Sequence, residues 1–325
     1  MVVFHVIFWF ASMLGSTVIE ASGGVAGRIQ MRAEGNIRMT SLAAEAFGFS
    51  FPTTTAIDAT SQGIFFDAPS GTISTVGDML LQTDSSVGIY AQAGGRVNAG
   101  GDLTIEAGDR VDLRHDPRGN ATNATLIAEG DLSITAFNSL RAASGTLLDA
   151  GGTLRLTANG PNGSISADRI DGDTILVTTA GLASIEHAEA DGNFVANVGS
   201  FRTGLNSIIT GGNISITAPG SVNLGNSTAD GSVSVSGQSI DFNMIDAGSS
   251  VNLTASGTGA GAEGIRGVSL TSGSSVFLNA NSITIGSVDS SDVLSAFASG
   301  GNVAIEQANA VRGIGVFAQR DIRGS

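Results

Sequence analysis

The chain has 325 residues and a formal net charge of −14, from 29 acidic residues against 15 basic ones, every one of which is Arg. An acidic surface repels phosphate backbones, which argues against nucleic acid as a partner. The sequence contains no Cys, which excludes disulfide frameworks, thiolate catalysis and Cys-ligated metal sites. At 42% hydrophobic residues the chain has enough apolar side chains to fold, and its 46 glycines show no collagen period.

Residues 1–22 form a predicted hydrophobic N-terminal segment, because residues 2–19 are mostly apolar. A signal peptide is one interpretation, although no Lys or Arg precedes the apolar stretch and His5 interrupts it. A membrane anchor and a start inside a longer gene are the two alternatives. Residues 23–325 are predicted to be one repeat region. Because residues 300–325 stop within the repeat pattern, we expect a piece of a longer protein.

A short phrase, Gly-Gly-Asx-apolar-x-apolar, recurs along the rest of the chain. Clear copies begin at Gly100, Gly211 and Gly300. Weaker copies begin at Gly130, Gly152, Gly192, Gly231 and Ser249. In each copy apolar and polar residues alternate, as in Ile214-Ser215-Ile216, which is typical of a strand with one buried face. The repeat therefore predicts one short structural unit that is stacked many times.

A second predicted strand follows the first at a nearly constant distance. The first apolar residues of the two strands are seven or eight positions apart at Leu103/Val111, Leu132/Leu140, Ile214/Val222, Val233/Ile240, Val276/Ile283 and Val303/Val311. The whole unit recurs from Thr153 to Ser250 with a period of ~20 residues, which is too short for a βαβ unit. The later steps, from Ser250 to Ser275 and from Ser275 to Asn302, are longer and predict inserted loops at 257–267 and 286–299.

This pattern predicts an all-β fold, a parallel β-helix (solenoid) with coils of ~20 residues. The rival is an antiparallel β-sandwich or an array of immunoglobulin-like domains. Such domains have a period of ~100 residues and a bulky aromatic core. The sequence disfavours this rival, because it has a single Trp and a single Tyr and a much shorter period.

Three stretches carry the repeat most clearly: GGDLTIEAGDRVDL at 100–113, EGDLSITAFNSL at 129–140 and the copies within 211–242. They resemble the filamentous-haemagglutinin-like bacterial exoproteins and adhesins, over most of residues 100–325 and more loosely over 23–99. The resemblance implies a right-handed parallel β-helix and a secreted or cell-surface protein. It also implies export by two-partner secretion or as an autotransporter passenger. Neither a secretion domain nor a membrane barrel is recognisable, so the export route stays open.

Few residues suggest chemistry. The acids Asp171 and Asp173, and Asp289 and Asp292, are interpreted as turn residues rather than as the two carboxylates of a glycosidase. The three histidines, His5, His115 and His187, are too far apart in sequence to suggest a metal site or a triad. Arg110, Arg114 and Arg118 lie among Asp109, Asp112 and Asp116 and are interpreted as a solvated loop. We therefore predict no catalytic, cofactor-binding or metal-binding residue.

The sequence predicts the structural shaft of a secreted or surface-exposed bacterial adhesin that mediates attachment to host cells or surfaces. The expected partners are a host-surface glycan or protein receptor and an outer-membrane transporter, with no nucleic acid and no stable membrane insertion. The expected location is extracellular or at the bacterial cell surface. Binding is expected at the irregular loops 114–128, 256–267 and 286–299. The alternative is a carbohydrate-active β-helix enzyme, a polysaccharide lyase or glycoside hydrolase, which a group of three or more acids in one groove would favour.

Overall fold

The computed structural model describes residues 4–7, 28–32, 36–39, 42–43, 56–68, 72–75, 77–91, 96–113, 124–142, 145–204, 206–257 and 264–324. In this part of the chain every regular element is a β-strand, so the prediction of an all-β fold is confirmed. No helix in these ranges has the length and apolar character of a membrane span. The predicted N-terminal segment 1–22 lies outside the described residues except for a strand at Phe4–Ile7.

The chain divides into two compact units, residues 1–173 and 174–325. The strands of the first unit are β1 Phe4–Ile7, β2 Arg28–Arg32, β3 Asn36–Met39, β4 Leu42–Ala43, β5 Ala56–Ala68, β6 Thr72–Thr75, β7 Met79–Ala91, β8 Arg96–Ala99, β9 Leu103–Ala107, β10 Arg110–Leu113, β11 Thr125–Ala128, β12 Leu132–Ala136, β13 Ser139–Ala142 and β14 Leu147–Ala158. Strand β15, Ser164–Ala190, contains the point of division. The second unit continues with β16 Phe194–Thr203, β17 Asn206–Thr210, β18 Ile214–Thr217, β19 Ser221–Ala229, β20 Val233–Gly237, β21 Ser239–Ala247, β22 Val251–Ala255, β23 Ile265–Ser272, β24 Val276–Ala280, β25 Ile283–Ser290, β26 Val293–Ala298, β27 Val303–Ala310, β28 Gly313–Ala318 and β29 Ile322–Gly324.

In the first unit the strands pair in parallel with strands of neighbouring coils, and from β5 onward the pairing extends in both directions, as at β9. Leu103 lies beside Met79 of the preceding coil and Leu132 of the following one. Leu132 in turn lies beside Leu154. All four of these side chains are at most 1% exposed. The unit is therefore a β-solenoid whose inward residues stack on one another from coil to coil.

The second unit has shorter and more regular coils. Ile214 pairs with Phe194 of the preceding coil and with Val233 of the following one. Val233 pairs in the same way with Val251 of the next coil. These parallel pairings confirm the predicted stacking of coils of ~20 residues, while the handedness of the coil stays a prediction.

Each coil of the second unit has three strand-bearing sides. The first, which we name side A, consists of residues 194–197 of β16 and of strands β18, β20, β22, β24, β26 and β28. Strands β19, β21, β23 and β25 each turn a corner and cover the other two sides. Their first residues form side B and their last four form side C, as the break in pairing at Gly225 shows for β19. The core is the space that the three sides enclose.

The inward and outward residues alternate as predicted. On side A, Ile214 and Ile216 are buried, whereas Thr217 is exposed. One coil later, Val235 is 1% exposed and Ser234 points outward. Among the described residues the core is mostly aliphatic, and it contains an edge-to-face pair of the rings of Phe194 and Phe201, whose centroids are 5.8 Å apart.

Two predictions near the end of the chain are wrong. Val303 does not begin a side A strand followed by a second strand at Val311; it pairs with Ile283 and Ile322 on side B, and Val311 is 75% exposed. The predicted step from Ser275 to Asn302 is therefore not the length of one coil. The Gly-Gly-Asx phrase at Gly211 precedes a side A strand, whereas the phrase at Gly300 precedes a side B strand. Both corners need the same tight turn, so the phrase does not specify which side follows.

The predicted loops are also partly wrong. Residues 286–299 contain the end of β25 and all of β26 and insert no extra loop. Residues 125–128 are strand β11, in which Leu126 and Ala128 are buried. Within 256–267, strand β23 begins at Ile265. The remaining parts of the two loops, 114–123 and 258–263, lie outside the described residues.

We expect Val235→Asp to destabilise the second unit and Ser234→Asp to have almost no effect. The first change places a carboxylate between Ile216 and Leu253 in a dry row, which costs on the order of 3 kcal/mol or more. The second adds the same charge on the solvent side, which costs within about 0.5 kcal/mol. Urea unfolding midpoints of the two variants would measure the difference. Equal midpoints would show that the inward and outward assignment is incorrect.

Candidate functional site

The Asx of the repeated phrase bonds one coil to the next in the first unit. The carboxylate of Asp78 accepts a hydrogen bond from the backbone N–H of Asp102, at 3.0 Å. Asp102 accepts one from the N–H of Asp131, at 2.8 Å, and Asp131 accepts one from the N–H of Thr153, at 2.7 Å. These residues form a corner ladder in which each side chain supplies an acceptor to a backbone group that starts the next strand.

The glycines of the phrase make room for this ladder. A Cβ atom placed on Gly101, Gly130 or Gly152 would collide with the Oδ1 atom of Asp78, Asp102 or Asp131 respectively. A side chain at any of these glycines would therefore displace the acceptor of the preceding coil. Glycine and Asx are required together, which explains why they occur as a phrase.

The second unit builds the same kind of ladder from neutral residues. Asn193 accepts hydrogen bonds from the backbone N–H and the side-chain amide of Asn213, at 2.9 and 3.0 Å. Asn213 accepts one from the N–H of Ser232, at 2.7 Å, and the hydroxyl oxygens of Ser232 and Ser250 are 3.1 Å apart. Because Asn and Ser replace Asp in this role, the ladder needs an acceptor and does not need a charge.

The four acids that the sequence placed in turns have other positions. Asp171 and Asp173 lie within strand β15, and Asp289 lies on the outward face of β25, where its Oδ1 accepts a hydrogen bond from Asn309 at 3.2 Å. The turn interpretation is wrong for these three. Asp292 does lie in a turn, where it accepts a hydrogen bond from Ser275 at 3.0 Å and pairs with Arg312 at 3.3 Å.

The other candidate residues are dispersed. The Nε2 atom of His187 lies 3.9 Å from Glu189, His115 is outside the described residues, and His5 lies in β1. The Nε atom of Arg110 is 3.8 Å from Asp109, while Arg114 and Arg118 are also outside. Across the described ranges, no three His, Asp or Glu side chains are grouped so that they could hold a metal ion.

The outward face of side A differs in charge from the other two sides of the second unit. Among the described residues of its strands, no outward side chain is charged. The outward residues are Val195, Asn197, Ser215, Thr217, Ser234, Ser236, Asn252, Thr254, Phe277, Asn279, Ser295, Phe297, Gly315 and Phe317. We name these residues the charge-free face. Sides B and C both carry charged residues, for example Asp241 and Arg266 on side B and Asp246 on side C.

Three phenylalanines are exposed on the charge-free face, and we name them the phenylalanine ridge: Phe297 and Phe317 share one outward row, and Phe277 lies one coil earlier in the neighbouring row, beside Ser295. Phe277, Phe297 and Phe317 are 48%, 43% and 55% exposed. The rings of Phe297 and Phe317, which are directly paired in register, stack with centroids 5.1 Å apart and planes within 7° of parallel. Large apolar side chains grouped on a surface mark an interaction site more often than scattered ones do.

Comparison with protein-family models, with curated proteins and with solved structures finds no match to this chain. The resemblance to haemagglutinin-like exoproteins therefore rests on the repeat residues alone. The β-solenoid fold, by contrast, rests on the strand pairing described above.

The pKa of Asp109 is lowered from its ordinary value. The amide of Asn138 donates a hydrogen bond to its carboxylate at 2.8 Å and is the largest cause that lowers the pKa. Partial burial opposes this shift, while the hydroxyl of Ser86 at 3.1 Å and the guanidinium of Arg110 lower the pKa further. These contacts tie three successive coils together at one corner.

We expect Gly130→Ala to destabilise the first unit by about 1–3 kcal/mol, because the new methyl group displaces the carboxylate of Asp102. In an Asp102→Ala background the same change should cost less, with a coupling energy on the order of 1 kcal/mol. Gly313→Ala is the matched control, since a Cβ there meets nothing within 4 Å. Additive effects in the urea unfolding of the four-member cycle would contradict the reciprocal role of glycine and Asx.

The lowered pKa of Asp109 predicts a pH dependence with a definite sign. Because the folded-state pKa is below the unfolded value, the stabilisation is present above the unfolded pKa and disappears as the pH falls through the folded pKa. Asn138→Ala should raise the pKa of Asp109, and Arg110→Gln should raise it less. Titration of the side-chain carboxyl carbon by NMR would measure both shifts, and a larger effect of Arg110→Gln would reverse our assignment of the main cause.

Proposed function

We propose that this chain is a shaft segment of a secreted or surface-exposed bacterial adhesin. The proposal rests on the role that the residues of the repeated phrase have in the structure. Its Asx side chains and glycines are occupied in bonding coil to coil, as Asp102 with Gly130 and Asn213 with Gly231 illustrate. A chain that devotes its commonest motif to architecture is suited to holding other elements in place rather than to chemistry.

The proposed mechanism is mechanical. Each coil is attached to its neighbours by parallel strand ladders on its sides, by corner bonds and by inward rows of Val, Ile and Leu. Separating two coils would break all of these interactions together, so the stack resists local opening. Such a stack holds binding elements at a fixed place relative to the cell that carries it.

The proposal includes export and a receptor. A chain without Cys needs no oxidation step, which suits passage through an outer-membrane transporter in an unfolded state. The receptor would be a glycan or a protein on the host surface. Attachment through segments 114–123 and 258–263 is part of the proposal, together with a location outside the cell or at its surface.

The carbohydrate-active alternative gains no specific support from the acids of the described residues. The three carboxylates that do share a corner, Asp78, Asp102 and Asp131, use their oxygens to accept backbone hydrogen bonds. Neutral Asn and Ser perform the same task in the second unit. We therefore assign no catalytic residue.

Display of the chain on a non-adherent bacterium tests the adhesin proposal. We expect the displayed chain to raise attachment to cultured host cells severalfold, and Ser234→Asp to attach equally well. Val235→Asp should lose attachment, because it breaks the coil stack while adding the same charge. Attachment that survives Val235→Asp, or no attachment by the unaltered chain, would contradict the proposal. Release of sugar products from a polysaccharide panel by the purified chain would favour the enzyme instead.

A further inference from the structure

The second unit carries its charges unevenly. Its sequence contains eleven carboxylates and five arginines, so copies of it repel one another at neutral pH. On side C, Asp246 and Asp289 lie in one outward row with Thr271 between them. On side B, Asp241 and Arg266 are neighbours in register. The charge-free face of side A is the outward surface of this unit on which the described strands present no charge.

We propose that the charge-free face is a self-association surface, against which a second copy of this chain packs through the same face. Two acidic molecules that approach through side B or side C bring like charges together, which is costly. An approach through side A avoids that cost. The same patch on both partners gives an isologous contact, which closes as a dimer and does not continue as a filament.

The phenylalanine ridge supplies the attraction. Phe277, Phe297 and Phe317 leave roughly half of each side chain exposed, and burying these apolar surfaces against a partner is favourable. The surrounding outward residues are mainly Ser, Thr and Asn, whose hydroxyl and amide groups both donate and accept hydrogen bonds. Such groups can satisfy identical groups on a second copy, whereas carboxylates cannot satisfy one another.

The geometry of the rings favours a protein partner over a sugar. A sugar ring packs on the flat face of an aromatic ring, but Phe317 covers one face of Phe297 at a centroid distance of 5.1 Å. The stacking therefore closes one flat face of each of these two rings. Aromatic edges pack well against the side chains or ring faces of another protein surface.

Sedimentation velocity of the purified full chain over a range of concentrations tests the proposal. We expect a monomer–dimer equilibrium that strengthens as salt is added, since salt screens the repulsion between acidic copies. Phe297→Glu should raise the dissociation constant by about tenfold or more, and Phe297→Ser should raise it by a smaller factor. Thr271→Glu adds the same charge to side C and should raise the dissociation constant far less, only through the added net charge. A chain that stays monomeric at high salt, or an equal effect of Phe297→Glu and Thr271→Glu, would overturn the proposal.

The absence of cysteine from the sequence allows a second, independent measurement. Asn279→Cys introduces a single thiol on the charge-free face, and Thr271→Cys introduces one on side C. A bifunctional thiol reagent should link Asn279→Cys into dimers and leave Thr271→Cys as monomers. Equal linkage would place the contact elsewhere. Association that is abolished by Ile322→Glu at the last coil but not by Phe297→Glu would show end-on stacking and would also overturn the proposal.

Discussion

Register between successive coils is the constraint on which each unit depends. Side chains alternate inward and outward along every strand, so a slip of one residue would bring Ser215 into the core and expose Ile216. Parallel pairing alone does not prevent such a slip, because the ladder hydrogen bonds can form in either register. The corner ladders prevent it, since each Asx or Ser accepts the N–H of one particular residue in the next coil, as Asn213 does for Ser232.

The composition of the chain follows from the same constraint. Where an acceptor such as Asp102 projects toward the next coil, the residue above it must lack a Cβ, and Gly130 meets that need. Elsewhere a glycine makes room for a neighbouring side chain, because the ring of Phe242 occupies the space that a side chain at Gly267 would need. The rows tolerate some irregularity, because Ser227 takes a place between Ile208 and Ile245 although its buried hydroxyl has no hydrogen-bond partner among the described residues.

The sequence predicted what is periodic and missed what depends on the three sides of the coil. The inward residues Ile214 and Val235 could be identified because alternation fixes their direction whatever the side. The position of Val303 could not, because a Gly-Gly-Asx phrase marks a corner and the coil has more than one. If the phrase at Gly300 is treated as the start of a side A strand, the pattern predicts a loop at 286–299 and a strand at Val311, and neither exists in the structure. The phenylalanine ridge could not be predicted from the sequence for the same reason. Phe277, Phe297 and Phe317 are far apart in sequence, and only the observed strand pairing places them on one face.

Inward and outward residues of such a stack can be substituted almost independently of one another. The repeat, which specifies the inward residues, therefore says little about function. Changing an outward residue such as Thr271 leaves the inward row of Leu270 untouched, since the two side chains point in opposite directions. The three outward faces can therefore acquire different chemistry over one unchanged core. In the second unit, carboxylates occupy side C while side A carries only neutral side chains and a phenyl ridge. Function in this fold is thus encoded by which outward residues share a side, a property that the coil register creates and that the repeated phrase does not contain.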